Sequence, residues 1–503
     1  MGASGNGLPI HNFDPVYAPN DGTSPRVIVF ASTRGNAPSD ATDYSGPQRT
    51  PADPSKPNAN LYVYEPDPAS TATPPTYRIR QATFLLNMER YPSFMQDGRI
   101  LMTTEKREPG LYELALRREN LDGSDYHPLF AQRGSIGYYE AREPIELADK
   151  NFAAIFSDPG TPHGGGTLGI FNRSIGVDFT STDPTDFPID SSVINPSAPA
   201  SPEPSFFLHS LSFPDPSASG HTGQSTSGVY ASPRPLPDGN LLVSFGAAAD
   251  VGQFQGDYDV YVFDRATGAK TKLVGNPGTA EVDAVAVYPR VSRGIFVPTG
   301  DEPNGNTSIH AGANETDVNI LDMPMLASLL FQNTPTGRSI ENFTTFDVYE
   351  DLPPLSSETS FAAANQSNVA MDKFGQSYVR RRQLGTVPVA GDGSAHFVTY
   401  GGLPLVLHLP DTSLSTAKGF PRFQREEMQF APGEYLHQSF PRQFFNNMCG
   451  FCHGSVSGQA VDNATAPDIL TQASNTASRT GNVANLKVAA GSRGATQGPP
   501  AKP

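Results

Sequence analysis

The sequence predicts a mainly β protein, in which an N-terminal β-propeller is followed by a small β-rich domain. Short apolar runs alternate with Asp-Gly and proline-rich turns along most of the chain. This pattern is typical of hairpins, because Asp-Gly tolerates the positive φ of a tight turn. Glycine and proline number 47 and 48 among 503 residues, while hydrophobic residues make up only 37%. That composition indicates many turns between short strands.

Each repeat combines a turn, an apolar strand and a further hairpin. The Asp-Gly turns at 21–22, 97–98 and 238–239 precede apolar runs at 26–30, 99–102 and 240–245. A degenerate copy of the same unit spans 144–156. The candidate third strands are 61–64, 111–114, 168–171 and 260–264. A repeated unit of four strands predicts a propeller.

Over roughly residues 11–295 the repeats resemble the blade of TolB-type propellers, which carries a proline and an Asp-Gly turn ahead of an apolar strand. The resemblance implies a TolB-like propeller for residues 1–295. Residues 172–230 interrupt the spacing with a Ser/Pro-rich stretch, interpreted as a loop insertion. The alternative is a generic β-sandwich with similar turns.

From about residue 296 the repeat pattern ends and a smaller β unit is predicted. Residues 318–333 predict a strand or short helix with a bend, and 346–350 and 403–409 predict strands. Residues 384–398 predict an Asp-Gly hairpin. We assign 296–472 to this second domain and 473–503, rich in small residues, to a flexible tail.

The most informative motif is the pentapeptide Cys449-Gly450-Phe451-Cys452-His453, the attachment signature of a c-type haem. In that chemistry the two thiols bond to the haem vinyl groups and the adjacent imidazole is the proximal iron ligand. These are the only two cysteines in the chain, so cysteine serves neither packing nor a disulfide framework. A redox dithiol, a zinc site, a local disulfide and a chance match remain alternatives. The predicted cofactor is covalent haem c, held by Cys449, Cys452 and His453.

No histidine or methionine follows His453, so a distal iron ligand must come from upstream, from another chain or from water. His437 is the preferred upstream candidate. For the other candidates a structural role is the simpler interpretation; they are Met428, His408, His396, His163 and His221. A five-coordinate iron binds small ligands, whereas a six-coordinate iron mostly transfers electrons.

Three stretches together resemble the hydrazine synthase alpha-subunit family. They are Leu384–Phe397, similar to its G-x-VPV-x-x-DGSAHF hairpin, Asp322–Arg338, similar to its NTPTGR segment, and Ala431–Glu434 ahead of the haem motif. The resemblance implies a propeller followed by a middle domain with one haem c, and a further haem domain that has no counterpart here. In that family a tyrosine four positions past the motif histidine ligates iron. Ser457 stands there in this chain, which implies a divergent relative rather than a synthase and leaves His453 as an ordinary proximal ligand.

Charge and hydropathy limit which partners and which cellular compartment are expected for this protein. With 51 acidic and 35 basic residues, the chain carries a net charge of −16 and offers no basic stripe for nucleic acid. No apolar run is long enough to predict a transmembrane helix. Haem c is normally attached outside the cytoplasm, so a periplasmic or otherwise exported protein is expected. The first residues lack the features of a signal peptide, and we expect a leader to precede them.

The sequence therefore predicts an exported c-type cytochrome-like protein, in which a propeller presents one haem for electron transfer or small nitrogen- or oxygen-ligand chemistry with a redox protein partner. The alternative is a propeller-based binding module with a structural haem or metal. His163–Gly166 resembles an oxyanion-hole motif but lacks a nucleophile elbow, and is interpreted as a turn. Residues 250–259 are acidic and could hold calcium, although a solvated loop is the simpler interpretation.

Overall fold

The computed structural model describes a large part of the chain. The described residues are 9–19, 25–35, 46–48, 57–105, 114–130, 138–149, 151–171, 211–288, 307–323, 326, 344–353, 369–372, 375–378, 381–408, 427–438 and 483–487. Within these ranges the regular structure is β-strand apart from two short 3-10 helices, Pro162–Gly164 and Val251–Gln253, and the α-helical residues Met323 and Leu326. The predicted mainly β class is confirmed. No helix in the described ranges is long and apolar enough to span a bilayer.

The described residues of the N-terminal half form four successive antiparallel meanders of four strands, which we call blades 1 to 4. A single parallel bridge between Leu114 and Glu140 joins blades 2 and 3 into one sheet. Blade 1 contains β1 Asn12–Tyr17, β2 Ile28–Ser32, β3 Asn60–Pro66 and β4 Tyr77–Gln81. Blade 2 contains β5 Glu89–Phe94, β6 Ile100–Glu105, β7 Leu114–Glu119 and β8 His127–Phe130. Blade 3 contains β9 Glu140–Glu146, β10 Phe152–Ser157, β11 Thr167–Phe171 and β12 Leu211–Ser212. Blade 4 contains β13 Val229–Pro235, β14 Leu241–Gly246, β15 Asp259–Phe263 and β16 Lys270–Val274.

Successive blades share apolar cores. Each core draws buried side chains from both neighbours: Leu61 and Met102 between blades 1 and 2, Leu116 and Phe152 between blades 2 and 3, and Leu168 and Tyr230 between blades 3 and 4. Full burial of one such side chain contributes about 1.5–3 kcal/mol. Meanders that bury both faces against their neighbours have the arrangement of propeller blades.

The first strand of every blade contains the same irregularity. Asp14, Tyr91, Glu143 and Ser232 have φ values from 49° to 54° and lie where the register with the second strand shifts. A proline follows each of them. Because proline has no amide to donate to the ladder, a β-bulge at this point accommodates it.

These bulges form contacts between one blade and the next. The carboxylate of Asp14 accepts a hydrogen bond from the Tyr91 amide at 3.2 Å and an ion pair from Arg90 at 3.0 Å. The carboxylate of Glu143 accepts from the Ser232 amide in the same way. The bulged strands thus contribute side chain to backbone contacts between blades, in addition to the apolar cores.

The C-terminal half forms two sheets. The first, sheet A, has the order β17-β26-β18-β23-β27, with β17 Thr307–Ile309, β18 Glu315–Ile320, β23 Ala395–Tyr400, β26 Glu434–Gln438 and β27 Ala484–Asn485. The second, sheet B, has the order β22-β19-β24-β25, with β19 Thr345–Asp351, β22 Arg381–Pro388, β24 Leu405–His408 and β25 Glu427–Met428. A separate pair is formed by β20 Val369–Asp372 and β21 Gly375–Tyr378.

A single apolar core lies between sheets A and B. Val318 and Phe397 of sheet A and Phe346 and Leu407 of sheet B are fully buried in it. The ring centroids of Phe346 and Phe397 lie 6.2 Å apart with nearly perpendicular planes. Two sheets closed over one core make this half a small β-sandwich.

The predicted strands of the second domain are partly confirmed. β19 covers the strand predicted at 346–350, whereas β24 forms only part of the run predicted at 403–409. β18 ends two residues before the bend predicted at Asp322. In blade 2 the third strand begins at Leu114, the last residue of the predicted run. The assignment of residues 1–295, 296–472 and 473–503 to separate domains remains a prediction.

The predicted hairpin at 384–398 is wrong. The turn exists, since the Ala390 amide donates to the Ser394 carbonyl at 2.8 Å. However, β22 pairs with β19 in sheet B and β23 pairs with β18 in sheet A. Both strands have an apolar face, and the core between the two sheets buries Val387 and Phe397 from opposite sides. The turn therefore crosses from one sheet to the other.

Candidate functional site

The haem-attachment motif itself, Cys449, Cys452 and His453, lies outside the described residues. The strand that precedes it in the described part of the chain is β26, which ends at Gln438 and carries His437. The candidate site is therefore built from β26 and the strands beside it.

His437 belongs to a row of polar side chains across sheet A. β26 runs parallel to β18 with His437 opposite Asn319, and Asn319 lies opposite His396 of the antiparallel β23. Directly opposite residues project from the same face of a sheet. His437, Asn319 and His396 consequently share one face, which we call the histidine row.

Period-two patterning explains why this row faces away from the core. Val318 and Ile320 of β18 and Phe397 of β23 are buried between the sheets. The alternating positions Asn319 and His396 are half-buried on the opposite face. Successive side chains of a strand point to opposite faces, so the apolar positions fix the row on the outer face.

One carboxylate orients the row. Asp317, two residues before Asn319 on β18, places Oδ1 2.8 Å from Nε2 of His396. The Nδ1 atom of His396 is buried and has no hydrogen-bond partner among the described residues. A carboxylate acceptor at Nε2 favours the tautomer with the proton on that nitrogen, which leaves the lone pair at Nδ1.

His437 is held as a neutral imidazole. Burial lowers the pKa of His437, the nearby Asp317 carboxylate partly offsets this, and His396 lowers the pKa further. The side chain forms no hydrogen bond with any residue in the described ranges. A neutral imidazole with an available lone pair is the form that binds a metal.

The remaining candidates in this half lie elsewhere. Met428 on β25 packs into the core between the two sheets. His408 on β24 belongs to sheet B, where Nδ1 lies 3.5 Å from Oδ2 of Asp347 and burial lowers the pKa of His408. Sheet B is on the far side of the core from the histidine row. Both arrangements fit the structural roles expected from sequence.

The two propeller histidines belong to the blades rather than to sheet A. His221 places Nδ1 2.9 Å from Oδ1 of Asp158 and stacks on Tyr138 with 4.2 Å between ring centroids. His163, with φ 54°, lies in the short 3-10 helix and contacts Phe254 edge-on. Of the six upstream candidates, the structure brings together His396 and His437.

The two other motifs of the propeller have internal partners. The amides of Gly165 and Gly166 donate to the carbonyls of Pro162 and Tyr230, so neither forms an oxyanion hole. In the acidic loop, Asp250 accepts backbone amides and Asp259 pairs with Lys272 at 2.6 Å. Across the described residues no group of three or more histidine, cysteine, aspartate or glutamate side chains is placed to hold a metal ion.

Sequence reasoning missed Asp317 and Asn319. The alternation of Glu315–Ile320 is visible in the sequence and predicts a strand with one polar face. The partners of that strand are not visible, because β26 follows it by more than a hundred residues and pairs in parallel. The meeting of Asp317, His396 and His437 therefore depends on non-local pairing.

Comparison with known proteins finds a likeness in solved structures. No protein-family profile and no curated protein matches the sequence. Among solved structures, hydrazine synthase from Kuenenia stuttgartiensis matches with a TM-score of 0.52 and 15% identity, over 88% of this chain and 54% of that chain. At this identity the likeness shows a shared fold. The chain spans about half the length of the matched structure.

Proposed function

We propose that the chain is a c-type haem protein of an exported, periplasmic-type compartment that takes part in redox chemistry. The observation that carries this proposal is the Cys449–His453 attachment motif, which contains the only cysteines of the chain. Two further observations support it. The fold resembles that of a solved structure titled hydrazine synthase, and the strand ahead of the motif presents a neutral imidazole, His437.

The residues of this chain fit the demands of a covalent haem. Cys449 and Cys452 would hold the porphyrin, His453 would supply the proximal imidazole, and His437 would supply the distal one. The haem itself supplies a one-electron couple whose potential depends on the axial ligands and their surroundings. His437 remains unprotonated near neutral pH because it is half-buried and close to His396. Two imidazole ligands favour electron transfer over small-ligand activation.

The partner proposed for this site is a redox protein. The acidic surface, with a net charge of −16, favours a partner that presents a basic patch, because complementary charge accelerates association. Association of that kind weakens as ionic strength rises. The hydrazine reaction of the structural neighbour is not part of this proposal, since Ser457 replaces the tyrosine of the resembling family.

The test is spectroscopy of the full chain matured with a cytochrome c export system. We expect a pyridine haemochrome spectrum of covalent haem, a low-spin ferric spectrum, and slow binding of carbon monoxide by the ferrous protein. His437→Ala should shift the ferric spectrum toward high spin and accelerate carbon monoxide binding. His408→Ala, on sheet B, is the matched control and should leave both properties unchanged.

Two outcomes would contradict the proposal at different levels. Absence of covalent haem in correctly exported protein would refute a haem function and favour a propeller-based binding module. A low-spin spectrum that His437→Ala leaves unchanged would retain the haem but assign the distal ligand to another group.

A further inference from the structure

The strand that carries His437 begins at a buried carboxylate in contact with the propeller. Glu434, the first residue of β26, is 1% exposed. Its Oε1 accepts a hydrogen bond from the amide of Asp125 at 3.0 Å, and its Oε2 accepts one from the amide of Ala431 at 2.8 Å. Asp125 belongs to the turn after the third strand of blade 2. One side chain thus connects the propeller to the histidine-bearing strand.

The turn that leads into β26 has little freedom. Gly433 has φ 84°, and a Cβ added to it would lie 2.4 Å from the carbonyl oxygen of His310. The Gly433 amide donates to the carbonyl of Glu315 at 3.0 Å, and the Glu434 amide donates to that of Ala431 at 3.0 Å. These contacts determine where β26 starts relative to β18.

A second polar side chain connects the same segment to blade 1. Gln429, 1% exposed, accepts hydrogen bonds through Oε1 from the amides of Phe84 at 2.5 Å and Leu85 at 3.1 Å. Both bonds end on the loop between blades 1 and 2. Glu427 accepts a further hydrogen bond from the side-chain amide group of Asn87 on the same loop. Segment 427–434 is therefore attached to the propeller through Glu427, Gln429 and Glu434, of which Glu434 is the one directly continuous with β26.

The path from Glu434 to His437 is short and rigid. β26 is hydrogen-bonded on one side to β17 and on the other to β18. A strand paired on both sides shifts as a unit, so a change at its first residue moves the imidazole three positions later. The carboxylate accepts from two amides, and hydrogen bonds of this charge-assisted kind are the stronger ones.

We propose that Glu434 is a positioning residue for the distal haem ligand. The amide of Asp125 in the propeller donates to the carboxylate of Glu434, and this contact fixes the position of β26, the strand that carries His437. The inference rests on the proposed haem function, which it extends by giving the propeller a role in setting the coordination of the iron. Glu434 acts through His437.

The decisive variant is Glu434→Gln in the full haem-loaded chain. Glutamine keeps the size of the side chain but replaces one acceptor oxygen by an amide donor that faces a backbone N–H. Covalent haem content should be retained. The high-spin fraction should rise and carbon monoxide should bind about tenfold faster, because His437 then spends less time in the position from which it can ligate the iron. Glu315→Gln is the matched control, because Glu315 starts the neighbouring β18 but pairs with Lys487 at 2.6 Å. Its spectrum should equal that of the wild type.

Hydrogen exchange of the same full-length proteins provides a readout that does not depend on the iron. In Glu434→Gln the amides of β26 should exchange about tenfold faster than in the wild type, because local opening then breaks fewer bonds. Amides of β14 in blade 4 should be unaffected. Should Glu434→Gln fail to fold, Glu434→Asp, which keeps the charge on a shorter side chain, should show the same changes at smaller amplitude.

The outcomes separate the positioning role from the haem function. A Glu434→Gln protein with wild-type spectrum and wild-type exchange in β26, alongside a changed spectrum in His437→Ala, would overturn the positioning role and leave the haem function intact. A wild-type chain without covalent haem would refute the proposed function, and the positioning role with it. Faster exchange in β26 together with an unchanged spectrum would also overturn the proposal, because loosening of the strand would then not change the ligation of the iron by His437.

Discussion

The two halves of the molecule are built from similar strands but connect them differently. Within each blade every strand pairs antiparallel with its neighbour in sequence, and one parallel bridge between β7 and β9 joins blades 2 and 3. In the sandwich, β26 pairs in parallel with β18 and β27 pairs in parallel with β23, across long stretches of chain. Local pairing leaves a repeated pattern in the sequence, whereas non-local pairing leaves none. The candidate site of the sandwich half could therefore be found only in three dimensions.

The halves also differ in how they bury charge. In the propeller, carboxylates at the bulges accept backbone amides of the next blade, as Asp14 does from Tyr91. In the sandwich, two ion pairs lie on adjacent rungs of β19 and β22, Arg381 with Asp351 and Arg382 with Glu350. Removal of one partner from such a pair leaves a buried, uncompensated charge.

The largest effect should follow from Cys449→Ala combined with Cys452→Ala. Covalent haem should be lost completely, while the far-ultraviolet circular dichroism of the blades remains, because no blade contains a cysteine. Pyridine haemochrome analysis and circular dichroism measure the two properties. Retention of covalent haem by the double variant would show that the attachment site was assigned to the wrong residues.

Arg381→Ala should destabilise the sandwich by about 3–5 kcal/mol, because Asp351 would then be buried without its cation. Arg381 is 1% exposed and its Nε lies 2.5 Å from Oδ1 of Asp351. Lys272→Ala is the control: its exposed pair with Asp259 is screened by water, so this change should leave the stability nearly unchanged. Urea unfolding followed by fluorescence gives both values. Equal losses in the two variants would contradict the contrast between the halves.

Glu119 should make the stability of the propeller fall as pH rises. This carboxyl group of blade 2 is fully buried, and neither oxygen has a hydrogen-bond partner within the described residues. Burial, and then the nearby Glu89, raise the pKa of Glu119 well above its usual value. The unfolded chain therefore releases the proton first, and the free energy of unfolding decreases by about 1.4 kcal/mol per pH unit between the two pKa values. Glu119→Gln should remove that slope in urea unfolding at pH 5, 6 and 7.

Glu65 supplies a control of opposite sign for the same measurement. Burial alone would raise the pKa of Glu65, but hydrogen bonds and charge from Arg80 and Arg78 lower it overall. Its contribution is present above the usual pKa of a glutamate and is lost as pH falls through the lowered value. Glu65→Gln should thus cost stability at pH 7 and nearly none in strong acid. The same pH dependence in both variants would contradict the assignment of Glu119.

The smallest effect is expected at the bulges. Asp14→Ala removes the acceptor of the Tyr91 amide and the partner of Arg90, and should cost about 1–2 kcal/mol. Asp14→Asn keeps one acceptor oxygen and should cost about half as much. Thermal unfolding compares the two. If Asp14→Ala leaves the stability unchanged, the apolar cores alone hold adjacent blades together.

Much of the propeller could be predicted because its determinants are local. Leu61, Leu168 and Val260 were assigned to third strands from their apolar runs, and they lie in β3, β11 and β15. Asp-Gly turns mark the hairpins, since that dipeptide adopts positive φ easily, as Gly98 and Gly239 do with φ 89° and 90°. The proline that follows each bulge is visible in the sequence, but the contact of the bulge with the next blade is not.

The sequence by itself determined the mainly β class, the succession of blade-like repeats, and the presence of one haem-attachment motif with its two cysteines. These features follow from composition, period and spacing, which are properties of neighbouring residues. Only the tertiary structure decided that the turn at Asp392 crosses between two sheets, that Asn319 separates His396 from His437 on one face of sheet A, and that Glu434 contacts the propeller. Parallel and long-range pairing brings these residues together, and the burial of one common apolar core selects that pairing from the many that the strand pattern alone allows.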